Sequence, residues 1–502
     1  MLFRNTLATS TPTILGYVFS FIIGPIMLSR LGLAAFGVWA VTGAVAHYFG
    51  LLDLGLRRSL ARFIALYDAN GDIRGIKECV GLGLIAFTVV GAVGVLAAVG
   101  SAPLFTAALG VLEVDEMRLV LLSSVTIVTT LGFVSVLNAV GDGLRRMVPG
   151  STARLINIVL NFVFSLLALL LSGDLVVYAL ANAAAGVLGI VPALVALRYV
   201  WSGSLPLALP SLARARELIS FGLKTQVHGL ADLVNGQTDK IILAFLVDVR
   251  AAAVYEIGRR VAGAVKAIAL LSIGAMTSPA TAHIVKYGRE SIPAWYRRYT
   301  RRVTALAFPL FVVTCVTAPF LLLGWLDQIP GEGASVIVML SLGFFIAVTT
   351  EVGRTTAVAD GRPGLVASNS SITAALNVAL TLVLAPFFGF WGVLWGTFVA
   401  MAFGAVLFVV RFHREYGIPL AVYYRQVGPP AALSFVTAVP FLSVYLFQDG
   451  LLESRWTALI ALTGIGGPYM LVYWLAASRL GYLPDKLTLR WLRPRVKAEV
   501  SA

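Results

Sequence analysis

The chain has 502 residues, of which 59% are hydrophobic and only 12% charged; a soluble globular chain is nearer half apolar and a quarter charged. This excludes a soluble domain and predicts an all-α polytopic membrane protein. The net charge of +14 does not point to nucleic acid, because the basic residues cluster in short loops between apolar runs, the pattern of cytoplasmic loops facing anionic lipid.

About 20 apolar residues cross a bilayer. Fourteen stretches qualify as spans: 6–28, 38–56, 78–100, 117–138, 151–172, 174–197, 221–247, 252–278, 303–326, 335–358, 365–386, 390–411, 427–448 and 456–477. The first follows a single early Arg4 and is an uncleaved span rather than a signal peptide. Cys79 and Cys315 lie in or beside spans and suggest neither a disulfide framework nor a metal site. With the N-terminus inside, the inner loops carry Arg57, Arg58, Arg62, Arg74 and Lys77, then Arg145 and Arg146, then the run from Lys286 to Arg302, while the outer loops carry only Arg30, Arg250 and Arg455. That asymmetry predicts that both termini are cytoplasmic. The longest outer loop, roughly Ser101 to Glu116, is too short for a folded domain, and no HExxH, GxxxxGK[ST] or GxSxG motif occurs. A polymerase or ligase working on the outer face is thereby disfavoured, and transport rather than catalysis is expected, with no metal and no cofactor beyond a coupling H⁺ or Na⁺. His47, His228, His283 and His413 have no metal-ligand spacing.

The chain repeats itself at an offset of about 216–220 residues. Leu31 to Trp39 aligns with Val247 to Tyr255, Gly141-Asp-Gly143 with Ala359-Asp-Gly361, and Asn157 with Asn377. An even number of spans separates the copies, so two six-helix lobes should be related by a pseudo-two-fold axis along the membrane normal, with the substrate path between them. The expected divisions are an N-terminal lobe over 1–198 (spans 1–6), a cytoplasmic linker helix over 199–220, a C-terminal lobe over 221–414 (spans 7–12), additional spans 13 and 14 over 415–478, and a basic tail over 479–502. In the linker, Pro206 and Pro210 break helix, and Ser211 is placed to cap a short basic helix through Arg214 and Arg216 lying along the inner membrane surface. In the tail, Leu483, Leu487 and Trp491 share a face, with Lys486, Arg490 and Arg493 holding anionic lipid. Both segments are equally compatible with a solvated basic edge.

The spans over Phe221 to Ser278 carry the polar residues of greatest interest. Lys224, His228, Asp232, Asn235 and Asp239 recur at helical spacing on one face of the first arm; the second arm carries Glu256, Arg259, Arg260 and Lys266. Folding the arms back about Asp248 to Ala251 places Asp239 level with Arg260 and Asp232 level with Lys266. A charge at mid-bilayer costs about 2.5–3.5 kcal/mol on insertion scales and so faces a bundle interior or a wet cavity. Across the spans the basic residues Arg118, Arg154, Lys224, Lys240, Arg259, Arg260, Lys266 and Arg354 outnumber the acidic Asp53, Asp232, Asp239, Glu256 and Glu351. The excess is positive, the sign that suits an anionic substrate. The same charges would also serve as ion pairs holding helices in register. Glu351 and Arg354 have the spacing of an i, i+3 pair, and Arg118, Arg154 and Lys240 are expected to snorkel to an interface.

The motifs around these residues resemble those of polysaccharide-transport flippases in the multidrug/oligosaccharidyl-lipid/polysaccharide exporter superfamily. The resemblance rests on Leu31-Gly32 through Phe36-Gly37-Val38-Trp39, Gly50 to Gly55 running into Arg62, Glu217 to Gly222, Thr238-Asp239-Lys240 to Leu243, Ala253 to Tyr255, and Gly389-Phe390-Trp391-Gly392. It implies a transporter of twelve to fourteen helices in the bacterial cytoplasmic membrane. Such a protein moves undecaprenyl-diphosphate-linked oligosaccharide to the outer leaflet by ion-coupled alternating access, beside a polysaccharide polymerase and glycosyltransferases, for O-antigen, capsule or exopolysaccharide synthesis. On that expectation Lys266, Arg259, Arg260, Lys224 and Arg354 contact substrate, and Asp232, Asp239, Glu256 and Glu351 couple the ion. A multidrug cation antiporter of the same superfamily is the alternative; a cationic drug would favour an acidic or aromatic cavity, against the basic excess.

Overall fold

In the computed structural model, the described residues are 2–50, 56–202, 206–274 and 276–483, without the side chains of 2–10, 13, 57–58, 224–225, 227–228, 232, 271–274, 277–278 and 446–449. Asp53, the side chains of Lys224, His228 and Asp232, and the amphipathic tail beyond Leu483 therefore lie outside the described residues. Among those described, the chain is helix and turn with no strand. The helices are α1 (Leu2–Phe49), α2 (Leu56–Ala69), α3 (Ile73–Leu109), α4 (Val114–Gly143), α5 (Met147–Leu171), α6 (Leu175–Leu188), α7 (Ile190–Val200), α8 (Leu212–Leu246), α9 (Val249–Gly274), α10 (Thr277–Tyr287), α11 (Ile292–Leu326), α12 (Gly333–Val348), α13 (Glu351–Ala359), α14 (Pro363–Glu415), α15 (Leu420–Leu442), α16 (Gln448–Leu451) and α17 (Arg455–Arg479).

Among the described residues, ten helical stretches are long and apolar enough to cross a bilayer, and the chain is a multi-pass membrane protein. Helix α9 is less apolar, because it carries Glu256, Arg259, Arg260 and Lys266. Helix starts follow local chemistry. Asp72 accepts from the Gly75 amide, Asp174 from those of Val176 and Val177, and Ser454 forms a capping box with Thr457, so amides that the first turn leaves unpaired are satisfied.

Two long helices are hairpins. In α14, Gly389 sits at φ 54° and ψ −130°, a conformation open to glycine alone. The Asn369 amide donates to Gly404 O at 3.0 Å, and a Cβ on Gly392 would stand 2.3 Å from Leu384 O. The two arms therefore run back along each other. In α1 the break is Gly32, at φ 81° and ψ 172°. Before it, Phe19 stacks on Phe162 of α5; after it, Trp39 meets Tyr178 of α6 edge-on. Helices α5 and α6 themselves reverse at Gly173, with Asn161 and Ser165 both donating to Asn182 Oδ1, so the arms of α1 reverse with them.

The repeat read from the sequence reappears as repeated element order. Helix α3 is matched by α11, the starts of α4 and α5 by those of α12 and α14, α2 by α10, and the turn at Gly173 by the turn at Gly389, at offsets of 216 to 221 residues. Helices α15 and α17 fall outside it. They are fastened to α11 by tyrosines: Tyr445 OH donates to Val316 O at 2.8 Å and Tyr473 OH to Ala305 O at 2.8 Å, while Tyr469 OH donates to Ser434 O of α15. Where lipid is as apolar as the core, such bonds and close packing hold helices together.

By contact the chain divides into two compact units, Met1–Ala253 and Val254–Ala502. In the first, α2, α3, α4 and α7 pack around Leu60, Ile64, Val80, Phe87 and Val140; Gly132 lies so close under Phe87 that a Cβ would come within 2.0 Å of its ring. Helix α8 packs against α1, α2 and α3 and belongs to this unit. The second unit is built on α11, around Tyr296, Phe311, Val348, Phe408 and Phe412.

One element differs from expectation. Ser211 caps a helix by accepting from the Arg214 amide, but that helix runs unbroken to Leu246. Residues 206–211 dock on the start of α3, where Ala208 N donates to Lys77 O at 3.3 Å, Ser211 N donates to Glu78 Oε2 at 3.0 Å, and Gly81 leaves room for the Ala208 carbonyl. The expected span 335–358 corresponds to the apolar stretch Gly333–Ala359, with a local turn between α12 and α13 where the Thr349 and Thr350 hydroxyls donate to Ile346 O and Ala347 O.

Candidate functional site

The densest charge is on α9. Residues 256, 259, 263 and 266 share one face at helical spacing. Glu256 is buried. Arg259 grips it bidentately, with Nε and Nη2 each 2.9 Å from a carboxylate oxygen, and Arg260 Nε lies 3.1 Å from Oε1. The arginine side chains keep 28% and 22% of their surface exposed. Two guanidiniums and one carboxylate leave the trio net positive. Two turns further along, Lys266 Nζ lies 4.7 Å from the centre of the Phe344 ring, a contact worth about 0.5–2 kcal/mol. Gly263, between them, has open space where a side chain would project, whereas Gly258, on the opposite side of the helix, is pressed against Val336. Gly258 thus packs α9 on α12, while on the charged face no described atom lies within 4 Å of where a Gly263 side chain would start.

The remaining expected residues sit elsewhere. Glu351 and Arg354 on α13 form the i, i+3 pair at 3.6 Å, and Arg354 also donates to Ser370 Oγ at 2.7 Å. Asp239 is buried on α8, in the first unit, between Thr238, whose hydroxyl is 2.5 Å from Tyr48 OH, and Lys240. Lys240 is buried rather than extended to an interface. Arg118 pairs with Asp115 at 2.6 Å, and Arg154 donates to Ser151 Oγ at 2.9 Å and lies 3.8 Å from Asp142. Lys224 and Asp232 are outside the described side chains, as stated above. His413 is buried and held by Ile418 O and Tyr296 OH, and His47 contacts Gly43 O.

Two charge clusters were not anticipated. In the first unit, buried Glu78 receives Arg74 at 3.0 Å, Arg214 at 3.4 Å and the Ser211 amide, and Arg214 also bridges to Asp72 at 2.7 Å. Glu78 heads an apolar span, and that placement was the available signal. In the second, Asp360 accepts from Arg289 at 2.5 Å and from Tyr416 OH at 2.9 Å; Arg362 lies 3.7 Å away and also pairs with Glu415. The Asp-Gly dipeptide there repeats Asp142-Gly143, a match that marked the offset without disclosing a role.

Burial pushes the Asp360 carboxyl up, but the hydrogen bonds from Arg289 and Tyr416 and the charges of Arg289 and Arg362 outweigh it and hold the group below the ordinary aspartate value. A depressed carboxyl contributes stability above its unfolded-state pKa and loses it as pH falls through the folded-state value. The difference in unfolding temperature between wild type and Asp360→Asn should therefore be constant from pH 5 to 8, about the range over which the group stays ionised, and shrink only below about pH 4. A difference that vanished near pH 6 would contradict this.

Against known proteins, the family described as polysaccharide biosynthesis protein matches residues 2–285. No curated protein matches the chain. Among solved structures, the lipid II flippase MurJ in an inward closed conformation is similar at 13% identity and a TM-score of 0.70, over 96% of this chain and 99% of that one. An inward-facing multidrug resistance MATE family transporter of the MOP superfamily is similar at 15% identity and a TM-score of 0.65, over 82% of this chain and 98% of that one. An outward-facing one gives 16% and 0.55, over 82% and 96%. At these identities the likeness is one of fold, and it agrees with the motifs at Leu31 to Trp39 and Thr238 to Leu243.

Proposed function

This chain belongs to the polysaccharide biosynthesis protein family, and from that premise we propose that it is a flippase carrying undecaprenyl-diphosphate-linked oligosaccharide from the cytoplasmic to the outer leaflet. The product would feed O-antigen, capsule or exopolysaccharide synthesis, in a bacterial inner membrane with both termini cytoplasmic. The observation that carries the reading is the charged face of α9: two arginines share one carboxylate, Lys266 follows on the same face, and Gly263 between them has no described atom within 4 Å of its would-be Cβ. A diphosphate is strongly hydrated and dianionic or more, so it needs cations in place of water. Arginine can meet it bidentately and lysine as a point charge. A fold shared with a lipid II flippase supports the same reading.

In this proposal Lys266 is the first contact for the head group. Its ammonium rests on an aromatic ring, and among the described residues no carboxylate lies within 4.0 Å of it. Arg259 and Arg260 follow when phosphate oxygens compete with Glu256, and Lys224 and Arg354 are the further cations proposed to contact substrate. Exchange of H⁺ or Na⁺ at Asp232, Asp239, Glu256 or Glu351 supplies direction, since one charge moved through 100 mV is worth about 2.3 kcal/mol.

The test is reconstitution in liposomes with a fluorescent prenyl-diphosphate glycan. Lys266→Ala should slow flipping by about tenfold, equivalent to loss of one charge-assisted contact of about 1.4 kcal/mol, with folding intact. Equal rates for wild type and variant would reject Lys266 as a contact. Transport of a lipophilic cation with no glycan movement would favour the antiporter instead.

A further inference from the structure

Most clustered arginines in the described residues answer a carboxylate: Arg214 with Asp72 and Glu78, Arg259 and Arg260 with Glu256, Arg289 with Asp360, Arg354 with Glu351. Four do not. Arg297, Arg298, Arg301 and Arg302 form two adjacent ridges on α11, and among the described residues no carboxylate oxygen lies within 4.0 Å of them. With Gln426 of α15 and Tyr482 beyond α17 they line a cavity of about 400 Å³. Part of its wall is fixed in place. Arg301 Nη2 donates to Arg425 O at 3.3 Å, its guanidinium lies 5.8 Å from the Tyr482 ring centre, and its buried Nε has no hydrogen-bond partner. Four positive charges gathered without a counter-charge in a concave site repel one another, and an anion relieves that repulsion.

The position in the fold says which anion. The arginines end where the uncharged run Val303 to Leu326 begins, and Tyr424 nearby is 69% exposed, as residues at headgroup level are. Further along the same two helices, α11 and α15, an apolar cavity of about 280 Å³ is lined by Phe311, Val316, Phe435 and Val439. Residues 311 and 435 follow residues 302 and 426 by nine positions, about 13 Å at 1.5 Å per residue. A phosphate in one site and hydrocarbon in the other match an amphiphile with its head at the interface.

We propose that the pocket of Arg297, Arg298, Arg301 and Arg302 holds the phosphate of an anionic phospholipid from the surrounding leaflet. The lipid joins α11, α15 and the end of α17, so it secures the two helices that lie outside the repeat. The proposal does not depend on what the protein transports.

The experiment uses the full chain purified in mild detergent. Thermal unfolding and native mass spectrometry are followed against phosphatidylglycerol, phosphatidylcholine, inorganic phosphate and diphosphate. Phosphatidylglycerol should raise the unfolding temperature saturably and remain bound, and the other three should not. Arg297→Gln with Arg301→Gln should weaken phosphatidylglycerol binding by about tenfold to thirtyfold, taking about 1 kcal/mol for each basic residue near an anionic surface. Should Arg301→Gln impair folding, Arg297→Gln with Arg298→Gln, both at exposed positions, must show the same weakening. Equal responses to the two lipids, unchanged affinity in the variants, or saturable binding of free phosphate or diphosphate without a response to phosphatidylglycerol would each overturn the proposal.

Discussion

Glu256→Ala is expected to destabilise the protein by about 3–5 kcal/mol, the scale of removing one partner from a buried ion pair. The reason is arithmetic of charge. One carboxylate holds Arg259 through two hydrogen bonds and Arg260 through a third. Its loss leaves two adjacent guanidiniums repelling each other, each less than a third exposed, so solvent screens them only in part. Glu256→Gln keeps the volume and an acceptor and should lose somewhat less. The triple variant Glu256→Gln, Arg259→Gln, Arg260→Gln should recover most of the loss, because replacing a whole buried ionic group is far cheaper than halving it. Thermal unfolding in one detergent across the three variants checks the order. A single Glu256→Ala loss below about 1 kcal/mol, the scale of an exposed pair, would show that the trio is solvated. The triple variant, folded but without Arg259 and Arg260, should also move a diphosphate lipid more slowly, Lys266 being the cation left on that face.

Gly392→Ala should be as damaging, for a steric reason. A Cβ at that position would stand 2.3 Å from Leu384 O and 2.5 Å from Leu384 C, both backbone atoms of the facing arm of α14. No side chain can rotate away, so the arms must part. Gly396 faces Thr381 N at 3.0 Å in the same way, and the Asn369 to Gly404 hydrogen bond further from the turn depends on the same spacing. Overpacking with no rotamer to relieve it costs about 3 kcal/mol. Gly464→Ala is the matched control: it lies in α17 with nothing within 4 Å of its would-be Cβ, and helix propensity alone favours alanine there by up to about 1 kcal/mol. Unfolding temperatures should fall for the first and hold or rise for the second. Equal stability for Gly392→Ala and wild type would mean that the arms are not in backbone contact.

Much of this fold is legible in residue chemistry, because bilayers restrict the choices. Apolar runs, the glycine turns, the Ser211 cap and the approximate repeat offset are all local patterns, and each has its counterpart in the helices. Glu256 with Arg259 and Arg260, and Glu351 with Arg354, are neighbours on single helices, so their pairing follows from spacing alone. What spacing cannot disclose is which helix packs on which. Apolar faces are as content in lipid as against protein, and so hydropathy did not reveal that α8 packs with α1, α2 and α3. The Glu78 to Arg214 and Asp360 to Arg289 pairs join residues distant in the chain, and only small residues such as Gly81, opposite Ala208, hint at the close approach. Lys240 reads as an interfacial lysine by composition, yet it is buried beside Asp239 on a helix docked through Thr238 and Tyr48.

The membership of α8 in the first unit has a consequence for biogenesis. The first repeat is complete in sequence once α7 has left the ribosome, but its packing surface on α1, α2 and α3 stays uncovered until α8 follows. At about 5–20 residues per second, the early helices wait in the insertion machinery for some seconds with that surface bare. The two halves of this protein, although copies in pattern, are therefore no longer separable in assembly: the older half is closed by the first helix of the younger.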